Sequence, residues 1–171
     1  MMALITSDFF HRSTASLFGV LATGVLIFAA VPAHADEAPV NSAEEGTRIL
    51  DPQSAERLEQ NTGLTLQWNS SGRPGVAVIN HKGDLWTLYG EQTNGNQPGK
   101  VELDGVISEI GEGYFTFDGT IRISDTPDAG RQCEKTKSWH FAVTQNRPYY
   151  RLREFEWCDY LTDYIDIYFR K

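Results

Sequence analysis

From Leu64 to the C-terminus apolar residues recur at every second position, in short runs cut by Gly, Pro, Asn and Asp. That pattern admits strands and tight turns and excludes long helices. Leu64, Leu66 and Trp68 alternate with polar residues, and a Gly72-Arg73-Pro74-Gly75 break leads into a second strand from Val76 to about Asn80. Lys82-Gly83-Asp84 is a turn, Leu85 to Glu91 a third strand, and Asn94-Gly95-Asn96 with Pro98-Gly99 the next loop. At the far end Ile165, Ile167 and Phe169 alternate with Asp166 and Tyr168 in a closing strand from Tyr164 to Arg170. Ahead of the strands one helix is legible. Asp51 is its N-cap, Pro52 lies in its first turn, Ala55 and Leu58 share a face, and it runs to about Asn61 with Gly63 as the stop.

Two hairpins can be put into register by asking which alignment sets compatible side chains opposite one another. Between Lys100 and Ser124, a turn centred on Glu112 sets Val101 against Ile123, Leu103 against Ile121, Gly105 against Gly119 and Ile107 against Phe117. Facing glycines allow a sharp bend or the close approach of another layer, which is how a sheet curls into a barrel. In the second hairpin a turn at Gln145-Asn146 sets Cys133 against Cys158, Lys135 against Glu156, Lys137 against Glu154, Trp139 against Leu152, Phe141 against Tyr150 and Val143 against Pro148. Opposed residues on antiparallel strands lie at Cα separations a disulfide spans, so the covalent bond and the apolar face predict each other. This register leaves Phe155 and Trp157 on the outer face; a bulge near Arg153 would turn them inward but shift the cysteines to diagonal neighbours. About seven or eight short strands without a long crossover predict an all-β domain. We expect a small antiparallel meander closed into a barrel, with one short N-terminal helix and one disulfide, rather than a two-sheet sandwich.

Residues 1–35 set the compartment. His11 and Arg12 precede an apolar run from Ala15 to Val31, then Pro32 and the small-x-small triplet Ala33-His34-Ala35, the layout of a signal peptide cleaved after Ala35. The rival reading is an uncleaved anchor, since the run is near the lower length limit for a membrane span. Residues 36–46 are acidic and small apart from Val40 and read as a flexible leader, which leaves 47–171 as one domain. Export to the periplasm or the medium removes the chain from the reducing cytosol. Cys133 and Cys158, its only cysteines, then read as a disulfide rather than as a nucleophile or metal ligands. A net charge of −8 argues against nonspecific binding to nucleic acid or an anionic membrane.

Catalytic signatures are lacking in the sequence. There is no Gly-x-Ser-x-Gly string, P-loop or dinucleotide fingerprint, and His81 and His140 lack a His-x-x-x-His spacing. Asp159 and Asp163 are conceivable calcium ligands, but six or more oxygens are needed and the EF-hand spacing is absent. Trp68, Trp86, Trp139 and Trp157 with Tyr149 and Tyr150 either pack the core or line a barrel mouth suited to an apolar or sugar ligand. Trp68 and Trp139 fall on buried faces; Trp157 and Tyr149 remain for an exposed rim. Opposite the buried side of the second hairpin Arg147, Arg151 and Arg153 share a face with Tyr149, and His140 pairs with Arg151. Such a positive strip suits a carboxylate, a phosphate or an acidic protein surface, or else salt-bridges to adjacent Asp and Glu. His140, Arg147, Tyr149, Arg151, Arg153 and Trp157 are therefore the candidate binding residues, with no metal or cofactor expected.

The ending Cys158-Asp159 followed by Thr162-Asp163-Tyr164-Ile165-Asp166-Ile167-Tyr168-Phe169 resembles that of small exported bacterial proteins without an assigned activity, and the likeness extends loosely back to about Leu64. The resemblance implies an exported β domain and, being carried by packing and turn residues, assigns no substrate. Lipocalin-like and avidin-like barrels share only the architecture. The expected role is a non-enzymatic binding module for a small apolar or anionic ligand or an envelope protein. The alternatives are an inhibitor of an extracytoplasmic hydrolase, presenting one protruding loop, and an enzyme using carboxylates in the barrel mouth.

Overall fold

A computed structural model describes residues 46–69 and 72–170; the expected cleavage site and, but for Gly46, the leader lie outside them. Among the described residues the chain forms nine strands and one helix. In order they are β1 (Arg48–Ile49), α1 (Pro52–Glu59), β2 (Asn61–Leu66), β3 (Val76–Lys82), β4 (Leu85–Thr93), β5 (Lys100–Gly111), β6 (Tyr114–Ser124), β7 (Gln132–Ala142), β8 (Tyr149–Leu152) and β9 (Ile165–Phe169). Eight of them lie in the order β2-β9-β8-β7-β6-β5-β4-β3. The two ends of that path meet where Leu64 N–H donates to Gly75 O at 3.3 Å and Gly75 N–H returns to Leu64 O at 2.8 Å. The result is the predicted fold, a nearly closed up-and-down barrel. Among the described residues no helix is long and apolar enough to cross a membrane.

Past Leu64 the two seam strands diverge, and side chains replace the ladder. Buried Gln92 accepts Leu66 N–H at 2.7 Å on Oε1 and donates from Nε2 to Arg73 O at 2.8 Å. On the other side Asn61 Nδ2 donates to Ala77 O at 3.0 Å. A Cβ on Gly63 would collide with Gly75 O, so only a residue without one lets β2 and the entry to β3 touch. Gly63 is therefore no helix stop. The helix ends at Glu59, and Gly63 sits in β2 at φ 110°, beside a bulge in the β2–β9 pairing.

The helix begins as expected, with the Asp51 carboxylate accepting Ser54 N–H at 2.9 Å and Pro52 in the first turn. It lies across one end of the barrel. Ser54 Oγ accepts Gly113 N–H at 2.9 Å and Ser54 O accepts the Tyr150 hydroxyl at 3.0 Å, while Ala55 and Leu58 are buried. Two-residue β1, too short to read in the sequence, pairs in parallel with β5; the Thr47 hydroxyl just before it accepts Trp86 N–H at 2.7 Å and donates to Ile107 O at 2.6 Å.

The first hairpin has the predicted register, Val101↔Ile123 through Ile107↔Phe117, with a bulge between Ile107 and Glu109. Facing Gly105 and Gly119 leave the space that the Phe117 ring fills, since a Cβ on Gly105 would lie 2.9 Å from Phe117 Cε2. The second hairpin needs correction. Its turn is where expected, with Gln145 and Asn146 both at φ 53° and Arg147 N–H on Thr144 O at 3.1 Å. The ladder, however, pairs Phe141 with Leu152 and Ala142 with Arg151, two residues out of the predicted register, and ends there. On its other edge β8 pairs with β9, Tyr149 opposite Tyr168 and Tyr150 opposite Ile167, and Arg151 pairs on both sides, with Ala142 and with Asp166. The barrel interior is filled by large rings. Phe115 stacks on Phe141 at 4.8 Å, Tyr150 meets Phe115 at 5.3 Å, and Trp139 and Phe117 are also fully buried.

Candidate functional site

Just past the ladder Arg153 N–H donates to His140 O at 2.8 Å, and the chain then leaves the barrel wall. Residues 155–163 form a loop whose base is closed by Asp163 N–H donating to Phe155 O at 2.8 Å. Trp157 seats its inner side, edge-on to Trp139 at 5.2 Å, with its buried indole N–H lacking an acceptor. Cys158 is bonded to Cys133 across a Cα separation of 5.7 Å, so the predicted disulfide holds although the ladder does not continue beneath it. Beyond the tip, Thr162 O accepts Gln67 Nε2–H at 2.5 Å and Asp159 Oδ1 accepts Leu161 N–H at 2.9 Å, an Asx-type turn.

Arg131 is the second clamp, and all five of its guanidinium N–H groups are used. Nε and Nη2 donate to Asp159 at 2.8 and 2.9 Å, Nη1 and Nη2 to Asp163 at 3.0 and 2.8 Å, and Nη1 also to Thr126 O at 3.0 Å. Asp163 is fully buried and accepts a further bond from Trp68 Nε1–H at 2.9 Å. A carboxylate without access to water is tolerable only when paired and hydrogen-bonded, and these donors meet that requirement. Hydrogen bonding to Arg131 holds the Asp159 carboxyl below its usual range. The conceivable calcium ligands thus offer their oxygens to an arginine. Cys133 Sγ, Cys158 Sγ and an Asp159 oxygen lie within 4.8 Å of one another, the one such metal-ligand group among the described residues, but its sulfurs are joined to each other.

Between these fixed points Tyr160 is fully exposed. Covalent, ionic and hydrogen-bonded anchors on both sides fix the backbone that presents this ring, so the ordering cost of the loop is met in folding rather than on contact.

Four of the six sequence-derived candidates are joined by one run of ring and guanidinium contacts: Arg147 and Arg151 both lie over Tyr149, and Arg151 continues to Tyr164, whose ring meets Phe155 at 5.1 Å beneath Arg153. Arg151 is bonded to Asp166 at 2.7 and 2.6 Å and lies over Tyr149 and Tyr164 at 5.0 and 4.1 Å, the salt-bridged alternative. Tyr149 is buried rather than on a rim, and Trp157 packs against the core. His140 opposes Arg153, not Arg151; Arg153 lies over Phe155 at 5.1 Å, and the His140 ring is 5.2 Å from Tyr114. Arg147 donates to the Tyr149 hydroxyl at 2.7 Å and faces the helix end of the barrel. Sequence reasoning missed Arg131 and Tyr160. The signal available was the spacing of Asp159 and Asp163 around an aromatic and next to a cysteine.

Comparison with known proteins adds two findings. Residues 46–169 match the family model described as the PM1083 family. The chain is 31% identical over 135 residues, 75% of its length, to the Uncharacterized protein PM1083 of Pasteurella multocida (strain Pm70), covering 86% of that protein. No solved structure matches. The match spans the whole described barrel, from the residue before Thr47 to the end of β9, and on that ground the chain belongs to the PM1083 family.

Proposed function

We propose that this chain is an exported, non-enzymatic binding module that docks onto a protein partner through Tyr160 and the rim of the 155–163 loop. The observation that carries the reading is the fully exposed Tyr160 ring between a disulfide on one side and the Arg131 clamp on the other. Buried, pre-organised aromatic anchors dominate protein interfaces. The ring-filled barrel interior favours an outside contact over a ligand held within. With a net charge of −8 and exposed Glu156 beside the tip, the fitting partner carries an aromatic-accepting pocket in a basic surface. A disulfide at the base of the working loop suits the periplasm or the medium. The same clamped, protruding geometry supports a second reading, inhibition of an extracytoplasmic hydrolase, with Tyr160 entering a substrate side-chain pocket.

The test is affinity capture from the native envelope with the oxidised chain, followed by measurement of Kd for the captured protein. Tyr160→Ala is expected to weaken binding more than tenfold with an unchanged melting temperature. Equal affinity of the two forms would remove Tyr160 as the anchor.

A further inference from the structure

We infer that the helix end of the barrel carries a second, independent binding site, for a small organic anion with an apolar body. A cleft of about 390 Å³ opens between the outer face of α1, the β7–β8 turn and the end of β9. Arg57, Arg147 and Arg170 line it together with apolar Phe169 and Val143, and Glu56 is its one carboxylate. Each arginine arrives on a different element. Arg57 stands on the helix capped by Asp51, its guanidinium 5.6 Å from the Phe169 ring centre. Arg147 closes the turn formed by Gln145 and Asn146 and is steadied by the Tyr149 hydroxyl at 2.7 Å. Arg170 follows Phe169, whose N–H is tied to Pro148 O at 3.0 Å, which brings the end of β9 up to that turn.

Four arginines on other elements are neutralised where they stand. Arg48, Arg122, Arg131 and Arg151 each sit on a carboxylate. Among the described residues no ion pair in direct contact joins a carboxylate to Arg57, Arg147 or Arg170, although the Asp51 charge reaches Arg57 at longer range. On the helix Asp51 is oriented by Ser54 N–H and Glu56 by Gln60 Nε2–H at 3.0 Å, and both keep their charge. Three guanidiniums against one carboxylate, beside an aromatic wall and on a chain of net charge −8, leave the cleft with an excess of positive charge that an incoming anion can neutralise. Guanidinium forks match phosphate and carboxylate oxygens, and Phe169 and Val143 offer the contact for an apolar body. The site lies at the end of β7 opposite Cys133, roughly 30 Å along the strand from the Tyr160 loop, so it neither depends on that loop nor competes with it.

The test uses the oxidised full barrel and three probes, phenyl phosphate, benzoate and phenol, read by the Nε–Hε NMR signals of Arg57, Arg147 and Arg170 and by titration calorimetry. Saturable shifts at these arginines with phenyl phosphate or benzoate, and none with phenol, are expected; the tighter of the two anions identifies the headgroup. Arg147→Gln combined with Arg170→Gln should weaken the preferred probe at least tenfold, while Arg153→Gln and Tyr160→Ala leave it unchanged. Absence of shifts at millimolar anion, equal response to phenol, or unaltered affinity in the double variant would each overturn the site. The shifts are read on the unsubstituted chain, so a double variant that misfolds does not shield the inference.

Discussion

Replacing Arg131 by Gln removes five hydrogen bonds at once and strands a carboxylate. Asp163 has no exposure to solvent, and without the guanidinium it keeps only the Trp68 indole as donor. Breaking a buried ion pair from one side costs about 3–5 kcal/mol, because the remaining charge is left uncompensated. Asp159 is about a third exposed and regains water when released, which places the cost at the lower end, about 3 kcal/mol. For a domain of this size that lowers Tm by roughly 10–15 °C, measurable by calorimetry at pH 7. Adding Asp163→Asn removes the stranded charge while keeping an acceptor for Trp68, so the double variant should melt above the single one. Acid titration supplies a second readout. A carboxyl whose folded pKa lies below its unfolded one contributes stability above the unfolded value and loses it as pH falls through the folded value. The hydrogen bonds from Arg131 depress Asp159 in this sense, so its share is present at neutral pH and lost only in strong acid; Arg131→Gln should begin to unfold at a higher pH than the parent. A single variant melting within 2 °C of the parent, on the order of 0.5 kcal/mol, or a double variant no better than the single, would refute the reasoning.

Other variants separate the parts of the molecule. Cys133→Ser with Cys158→Ser opens a loop of 25 residues and should cost about 3.5 kcal/mol by chain entropy, with hydrogen exchange rising in 155–163 but not in the β5–β6 ladder. Gln92→Leu strands the buried Leu66 N–H and should cost about 1–3 kcal/mol in urea titration; a loss under about 0.5 kcal/mol would mean that the seam closes without it. Arg151→Gln, which breaks the paired bonds to Asp166, should destabilise by about 2–3 kcal/mol, whereas Arg153→Gln should change stability by less than about 0.5 kcal/mol.

Local pattern made the barrel legible, and long-range closure is where legibility stopped. The β5–β6 register followed from pairing apolar residues about one short turn, since that hairpin contains all the information it needs. In the β7–β8 hairpin the same procedure chose a register two residues away from the real one. A shift of two residues keeps every side chain on its own face, so matching apolar pairs cannot tell Phe141 opposite Tyr150 from the observed Phe141 opposite Leu152. The disulfide survived that error because Cys158 reaches Cys133 from a loop, which a ladder argument does not describe. Gln92 reads as one more polar residue after a strand, and Gly63 as a helix stop, because their partners lie across a seam that no short window contains. The charge on the arginine strip is likewise set across the sheet: Asp166, the partner that claims Arg151, arrives on β9.

The central claim is that Tyr160 is the point of contact with a protein partner. Its most direct test replaces Tyr160 by p-benzoylphenylalanine in the native envelope and irradiates, with the same photoreactive residue in place of exposed Lys135 on the barrel wall as the comparison. One discrete adduct with another protein is expected from position 160 and none from position 135. No adduct at 160, or the same products from both positions, would contradict it.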